Sequence, residues 1–323
     1  MISGSKLSFA HLGLMTKVAK LYYEQNLRQP QIAERLGISQ SRVSRLLTEA
    51  AEQGVVRISV VSPENVYPDL ENQLQQLLGL RDVVIAHNDD ASEDSIAQVI
   101  GVAGATYLDT TLVAKDRVGI SSWSGTLLEV ADSMTGRHVN ATEVVQLQGG
   151  VGNARAQTLA TRLTDRFARL TGAEPRFLAA PGLVGSREVR DTLLADSYLQ
   201  ETVQAWKNLS VLLLGIGSVE PSPLLIESGN TVSQEDLATL RTEGAIGDVC
   251  SHFFAADGSD VGQFLEERLI GLSRETLKSI DRRVGFAGGA RKVEPIIGAA
   301  KGGWINVLVT DLTTAEAMLR RLQ

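Results

Sequence analysis

From residue 82 onward the chain repeats one pattern: a short apolar run, a loop, and a stretch of helical periodicity. The runs are DVVIAH, RVGIS, EVVQLQGG, RFLAAPGLV, LSVLLLGIGS, VGFAGGA and INVLVTD; the helical stretches include 92–108, 124–134, 153–171, 233–242 and 312–321. Apolar runs of this length read as strands buried on both faces, and the intervening helices supply the cover. An α/β fold follows, with a Rossmann-like, mostly parallel sheet, and the right-handedness of parallel crossovers favours a doubly wound arrangement. Ligands of such sheets sit outside the carboxyl ends of the strands, which directs attention to the loops after each run.

Four of those loops suit an anion. Ser122-Trp123-Ser124-Gly125-Thr126 follows RVGIS and opens a helix, where hydroxyls and free backbone N–H groups can hold a phosphate. Gly149-Gly150-Val151-Gly152, with Asn153 and Gln157 after it, follows VVQLQ; Gly215-Ile216-Gly217-Ser218 follows VLLL. Gly288-Gly289-Ala290-Arg291-Lys292 joins two glycines and a lysine at a strand-to-helix turn, so that amides and an ammonium converge. The loop at Gly215–Ser218 fails as a dinucleotide fingerprint, because Ser-Val-Glu follows Gly217, and no Walker lysine motif occurs. Glycines after strands also serve simply to make the turn.

The amino-terminal part has a different design. In QPQIAERLGISQSRVSRLLTEAAEQG, residues 29–54, Ala33, Gly37 and Val43 are spaced as the crossing, the turn and the packing point of a helix-turn-helix. Ile32, Leu36, Ile38, Leu46 and Leu47 complete its apolar side. Ser39 can cap the second helix. The set expected at DNA is Gln29, Gln31, Ser39, Gln40, Ser41, Arg42, Ser44 and Arg45, since arginine grips guanine or phosphate and glutamine reads adenine. A preceding helix carries Leu14, Val18, Leu21 and Tyr22 on one face, and Val56, Ile58 and Val60 alternate with Arg57 and Ser59 as a wing strand.

Charge divides the chain in the same way. The net charge of −7 separates into +4 for residues 1–62, with eight Lys or Arg against four Glu, and −11 for the rest, with 23 against 34. A polyanion is therefore expected on the small module alone. The organisation read from the sequence is a DNA-binding winged helix-turn-helix at 1–62, a connecting helix at 63–80, and a ligand-binding and oligomerisation domain at 81–323. On the connecting helix Val66, Leu70, Leu74, Leu77 and Leu78 share a face, which either packs on its own domain or meets a partner chain. One cysteine, Cys250, excludes an internal disulfide; no Cys or His cluster has metal-ligand spacing, and no cofactor is expected. No apolar run is long enough to span a bilayer and the first residues lack a secretory core, so the expected compartment is the cytoplasm.

The segments LYYEQNLRQPQIAERLGISQSRVSRLL, VVQLQGGVG, AIGDVCSHFFAADG, FAGGARK and INVLVTD, in this order, resemble the SorC family of bacterial transcriptional regulators, grouped with the DeoR-type sugar-responsive regulators. The resemblance implies a winged helix-turn-helix joined to a sugar-phosphate-binding domain similar to aminosugar-phosphate isomerases, assembled as a homodimer or homotetramer on operator DNA. It further implies that Ser122, Ser124, Gly125, Thr126 and Lys292 surround an effector phosphate, that Gln157 and Asp248 contact sugar hydroxyls, and that Gln148 and Gly149 belong to the site. Gln148 stands where some relatives have a basic residue; an amide brings no positive charge and forms no Schiff base. The competing reading is an isomerase- or deaminase-like enzyme with an appended DNA module. Such chemistry needs a carboxylate base, for which Asp248 and Asp311 are the candidates, and a non-enzymatic regulator is expected instead.

Overall fold

The structure is a computed structural model describing residues 9–57, 62–136, 139–151, 154–221, 225–226 and 232–323, the side chains of 154–157 and 159–160 excepted. It separates into two compact units, Met1–Pro63 and Glu64–Gln323.

The first unit is built on three helices, α1 (Phe9–Tyr23), α2 (Gln29–Leu36) and α3 (Gln40–Glu52). Their apolar positions meet in one small core of Met15, Val18, Ala19, Leu21, Ile32, Val43, Leu46, Leu47 and Ala50. Gly37 ends α2 in the left-handed region at φ 62°, a conformation that costs glycine nothing. Ser39 starts α3, and its hydroxyl accepts from the Arg42 amide at 3.3 Å. The wing strand expected around Ile58 and Val60 lies outside the described residues. Val55 and Val56 pack on the helical core just before it.

The second unit opens with α4 (Pro68–Leu78) and is organised by seven parallel strands, β1 (Asp82–Ala86), β2 (Arg117–Ile120), β3 (Glu143–Gln146), β4 (Glu174–Arg176), β5 (Val211–Gly215), β10 (Arg282–Phe286) and β11 (Val307–Asp311). Four two- or three-residue strands, β6 (Gly217–Ser218), β7 (Gly247–Val249), β8 (His252–Phe254) and β9 (Asp260–Val261), form a separate antiparallel sheet. In the main sheet the spatial order is β1-β11-β10-β5-β2-β3-β4. From β2 the chain steps outward through β3 to β4, and from β5 it steps the other way through β10 to β11. Strands β2 and β5 are neighbours, so the topological switch point lies between their carboxyl ends.

Side chains alternate across this sheet. Val211, Leu213, Val284, Val307 and Val309 pack with Ile96, Ile100 and Leu108 of α5 (Glu93–Thr111), Leu127 and Val130 of α6 (Gly125–Ser133) and Phe167 of α7 (Ala154–Thr171). Leu212, Leu214 and Leu308 face the opposite core, with Leu74 and Leu78 of α4, Ile296 and Ile297 of the helix Val293–Lys301, and Met318 of the helix Leu312–Leu322. Each such side chain contributes about 1.5–3 kcal/mol by leaving water. Helix α4 thus buries Leu74 and Leu78 in its own unit, while Val66 and Leu77 stay half exposed.

One expected strand differs. Residues 177–184 of RFLAAPGLV are not a strand; β4 ends at Arg176. Leu178 and Ala180 are apolar because they are buried, and the Leu178 amide donates to Gln146 Oε1 at 3.0 Å rather than to a neighbouring strand.

Candidate functional site

In the first unit, capping leaves one face of α3 open. Gln40, Ser41, Arg42, Ser44 and Arg45 are exposed, while Val43, Leu46 and Leu47 hold the helix to the core. Neither Arg42 nor Arg45 has an ion-pair partner among the described residues. Ser39 is also exposed, its hydroxyl shared between the Arg42 amide and Ser41 Oγ at 3.0 Å. Gln31 is exposed and its side-chain oxygen accepts from the Arg28 amide at 2.9 Å; Gln29 is half-buried at the start of α2. The face offers two guanidiniums, one amide and several hydroxyls on one short helix, the donor set that reads a major groove.

In the second unit a cleft of about 330 Å³ opens at the switch point, within the size range of small-ligand sites. The loop after β2 supplies Ser121, Trp123, Ser124, Gly125 and Thr126, the loop after β3 supplies Gln148, and the loop after β5 supplies Gly215–Ser218. Gly288, Gly289 and Lys292 follow β10, and Asp248, Cys250 and Ser251 come from the small antiparallel sheet.

Local chemistry fixes each wall. Ser124 caps α6, accepting from the Leu127 amide at 3.2 Å, and leaves the first amides of the helix facing the cleft beside Gly125, around which space is open. Gly289 has φ 98°, a backbone that suits glycine, and its amide donates to Thr314 Oγ1 at 2.7 Å. Thr314 is held in turn by the buried Asp311, whose Oδ1 accepts from the Thr314 amide at 2.9 Å and whose Oδ2 accepts its hydroxyl. Gly288 fits only as glycine, since an added Cβ would lie 2.2 Å from Asp311 Oδ2. Opposite, Asp248 Oδ2 accepts from the Ser251 amide at 3.0 Å, and Gly217 lies so close that an added Cβ would sit 1.7 Å from Asp248 Oδ1. Cys250 and Ser251 form the β7–β8 turn with φ 52° and 64°, the left-handed region that two-residue hairpins demand.

Among the described residues Lys292 is the free cation of this cleft. Its neighbour Arg291 pairs with Glu93 at 2.7 Å, whereas the Lys292 ammonium has no ion pair or hydrogen bond among the described residues. Burial lowers its pKa, and the nearby Asp248 carboxylate only partly offsets this. Burial raises the pKa of Asp248 against the pull of Lys292. Both groups are thus pushed toward their neutral forms.

The nine ligand residues expected from sequence separate into three groups. Ser124, Gly125, Thr126, Gln148, Asp248 and Lys292 come together in the cleft. Ser122 and Gly149 stand behind it: the Ser122 hydroxyl accepts from Gln146 Nε2 at 2.9 Å and donates to the Gln148 carbonyl at 3.2 Å. Gly149 donates to the Ile270 carbonyl at 2.8 Å and backs onto Pro181, whose carbonyl an added Cβ would meet at 2.3 Å. Gln157 belongs to α7, but its side chain lies outside the described residues. Trp123, Cys250 and Ser251, outside the expected set of ligand residues, also line the cleft, as does Gly217 of the expected Gly215–Ser218 loop. A tryptophan inside the polar turn SSWSGT was a usable signal; the two-residue hairpin at Cys250 had none.

Among the described residues no group of three or more His, Cys, Asp or Glu could hold a metal, and no helix is long and apolar enough to cross a membrane.

Comparison with known proteins agrees with both units. A family model for a sugar-binding domain matches residues 65–320, and that for sigma-70, region 4 matches residues 16–53. The deoxyribonucleoside regulator of Bacillus subtilis is 33% identical over 309 residues, covering 96% of this chain and 98% of that protein. The sorbitol operon regulator of Klebsiella pneumoniae is 31% identical over 312 residues, covering 95% and 98%. The crystal structure of that full-length regulator, SorC, superposes with a TM-score of 0.72 at 30% identity, covering 96% of this chain and 99% of the other.

Proposed function

The chain belongs to the SorC family of sugar-binding transcriptional regulators, and we propose that a phosphorylated sugar in the cleft of its larger unit controls the affinity of its helix-turn-helix for operator DNA. One observation carries the effector reading: the unpaired, half-buried Lys292 faces the same cleft as the Gly288–Gly289 turn and the open amino end of α6. Cation, amides and helix dipole then act on one small anion. Ser124, Gly125, Thr126 and Lys292 hold the phosphate, and Asp248 and Gln148 meet the sugar; Ser122 and Gly149 keep the wall in shape from behind.

At the other end, Arg42 and Arg45 with Gln40, Ser41 and Ser44 contact DNA. Residues 1–62 do this work, the helix within 63–80 connects, and 81–323 binds effector and assembles the chain with itself as a homodimer or homotetramer in the cytoplasm. The effector acts only through unequal affinity for the DNA-competent and incompetent arrangements. Catalysis is not part of the proposal. Asp311, one of two carboxylates available as a base, is buried behind Gly288 and committed to Thr314.

The test is a thermal-shift and calorimetric comparison of phosphorylated with free sugars on the full chain. A ligand of the native state raises the melting temperature. Phosphorylated members should bind and free sugars should not, and Lys292→Ala should weaken binding about 10- to 100-fold. Free sugars binding as well, or an unchanged affinity in Lys292→Ala, would overturn the phosphate assignment.

A further inference from the structure

His252 opens β8 directly after the Cys250–Ser251 turn, and its side chain has no exposed surface. Both ring nitrogens have partners: Nδ1 lies against Glu266 Oε1, and Nε2 is 2.8 Å from the carbonyl oxygen of Leu272. A carbonyl oxygen only accepts, so Nε2 carries a proton. Glu266 Oε1 also accepts from Arg274 Nη2 at 2.6 Å. Burial works to raise the pKa of Glu266, but the hydrogen bonds and charges of His252 and Arg274 hold it below the ordinary carboxylate value. This oxygen is therefore an acceptor as well, and Nδ1 must donate to it. A neutral imidazole has one N–H and would leave one of the two buried contacts with acceptor facing acceptor.

The two bonds join two walls of the cleft. Asp248 belongs to the same hairpin as His252 and accepts from the Ser251 amide. Leu272 belongs to the segment behind Gln148: its amide donates to the Leu147 carbonyl at 2.7 Å, Gly271 bridges to Gln148, and Ile270 accepts from the Gly149 amide. We propose that His252 is a buried imidazolium and a positioning residue, which holds the Asp248 and Gln148 walls in register, so that the cleft loosens when the ring loses its second proton. This strut does not depend on what the cleft binds. Glu266 favours the charged ring directly, Asp248 does so from the neighbouring strand, and Asp260 does so from beyond Arg274. Arg274 and Lys278 oppose it, but Glu266 and Asp260 engage Arg274, while Asp260 and the ring of Trp304, at 4.0 Å, engage Lys278. Trp304 also stacks on the imidazole, with centroids 5.8 Å apart, and an aromatic face favours a cation. Burial, with Asp248 beside it, pushes the Cys250 thiol up, so that residue adds no charge. Because the folded chain holds the proton, the support is complete at low pH and is lost as pH rises.

NMR of the full chain with nitrogen-15-labelled histidine tests this without any variant of the strut, the His252 signals being assigned by substituting His11, His87 and His138 in turn. At neutral pH both ring nitrogens of His252 should show an attached proton. In Glu266→Gln the side-chain amide can donate to Nδ1, and only Nε2 should keep its proton. Amide exchange supplies the link to the cleft, each rate being referred to that of an unstructured peptide at the same pH. His252→Gln should lower the protection of the Ser251 and Leu272 amides about tenfold or more at neutral pH and leave the α1–α3 core unchanged. In the parent the same two amides should lose protection as pH rises through the titration of the ring, whereas His252→Gln should show no such step. A single protonated ring nitrogen at neutral pH, undiminished protection in His252→Gln, or the same pH profile in parent and variant would overturn the strut.

Discussion

The two units treat their arginines in opposite ways. In the N-terminal unit Arg28, Arg35, Arg42, Arg45 and Arg57 carry no ion pair among the described residues. In the larger unit carboxylates answer most of the described arginines: Arg117 and Arg176 share the buried Glu143, Arg282 meets Asp116, and Arg274 meets Glu266 and Asp260. Lys292 stands apart because it is inside a cleft and unpaired. On the function proposed above, the contrast distinguishes two kinds of anion. Cations spread over an exposed helix gain by releasing counterions from a long polyanion, whereas one half-buried cation gains from a single anion that comes to it.

The comparison breaks most readily at α3. Arg42→Ala combined with Arg45→Ala should weaken binding to DNA selected by the parent protein from a random pool by about 100-fold or more, since each good base contact is worth about 1–3 kcal/mol. Effector affinity measured by calorimetry should not change. Fluorescence anisotropy showing the double variant within about threefold of the parent would mean that these unpaired arginines are only a solvated face.

How far this contrast could be read in the sequence depended on how each region hides its backbone. Six strands of the main sheet were legible because strands buried on both faces become continuous apolar runs, as in Val211–Gly215 and Val307–Asp311. The same signal misled at 177–184, where Leu178 and Ala180 are buried in a loop whose amide is answered by the Gln146 side chain. The antiparallel sheet was invisible, because strands such as Gly217–Ser218 are too short to have a period. Helices Arg187–Ala195 and Val293–Lys301 were missed for opposite reasons: the first buries no side chain, and the second is buried along most of its length, Pro295–Ala300. Glycine loops gave the location of the cleft, but not that Ser122 and Gly149 face away from it or that Trp123 faces in.

A smaller effect sharpens the comparison from the cleft side. Gly288→Ala forces a methyl to within 2.2 Å of Asp311 Oδ2 and 2.6 Å of Ile100 Cδ1. Both neighbours are buried and Asp311 is fixed by Thr314, so the turn must move instead. The expected cost is about 1–3 kcal/mol of stability in the larger unit, read by denaturant unfolding, together with loss of the effector response. DNA binding without effector should survive, because the α1–α3 core is separate. An unaltered effector affinity would show that the Gly288–Gly289 turn does not shape the site.

The smallest effect is the most direct on the contrast itself. Burial lowers the pKa of Lys292, so between its folded and unfolded values the unfolded chain binds more protons than the folded one. Stability then rises with pH through that window, and below it the ammonium is a standing cost. Lys292→Met keeps the length of the side chain and removes the charge. It should therefore be slightly more stable than the parent near neutral pH, with the difference shrinking as pH climbs into the ordinary lysine range. Arg42→Met, on an exposed position, should show no such pH-dependent gain. Paired melting curves across pH measure both. A loss of stability in Lys292→Met at neutral pH would show that attraction to Asp248 outweighs burial, making Lys292 one more answered cation of the larger unit rather than a charge held for an incoming anion.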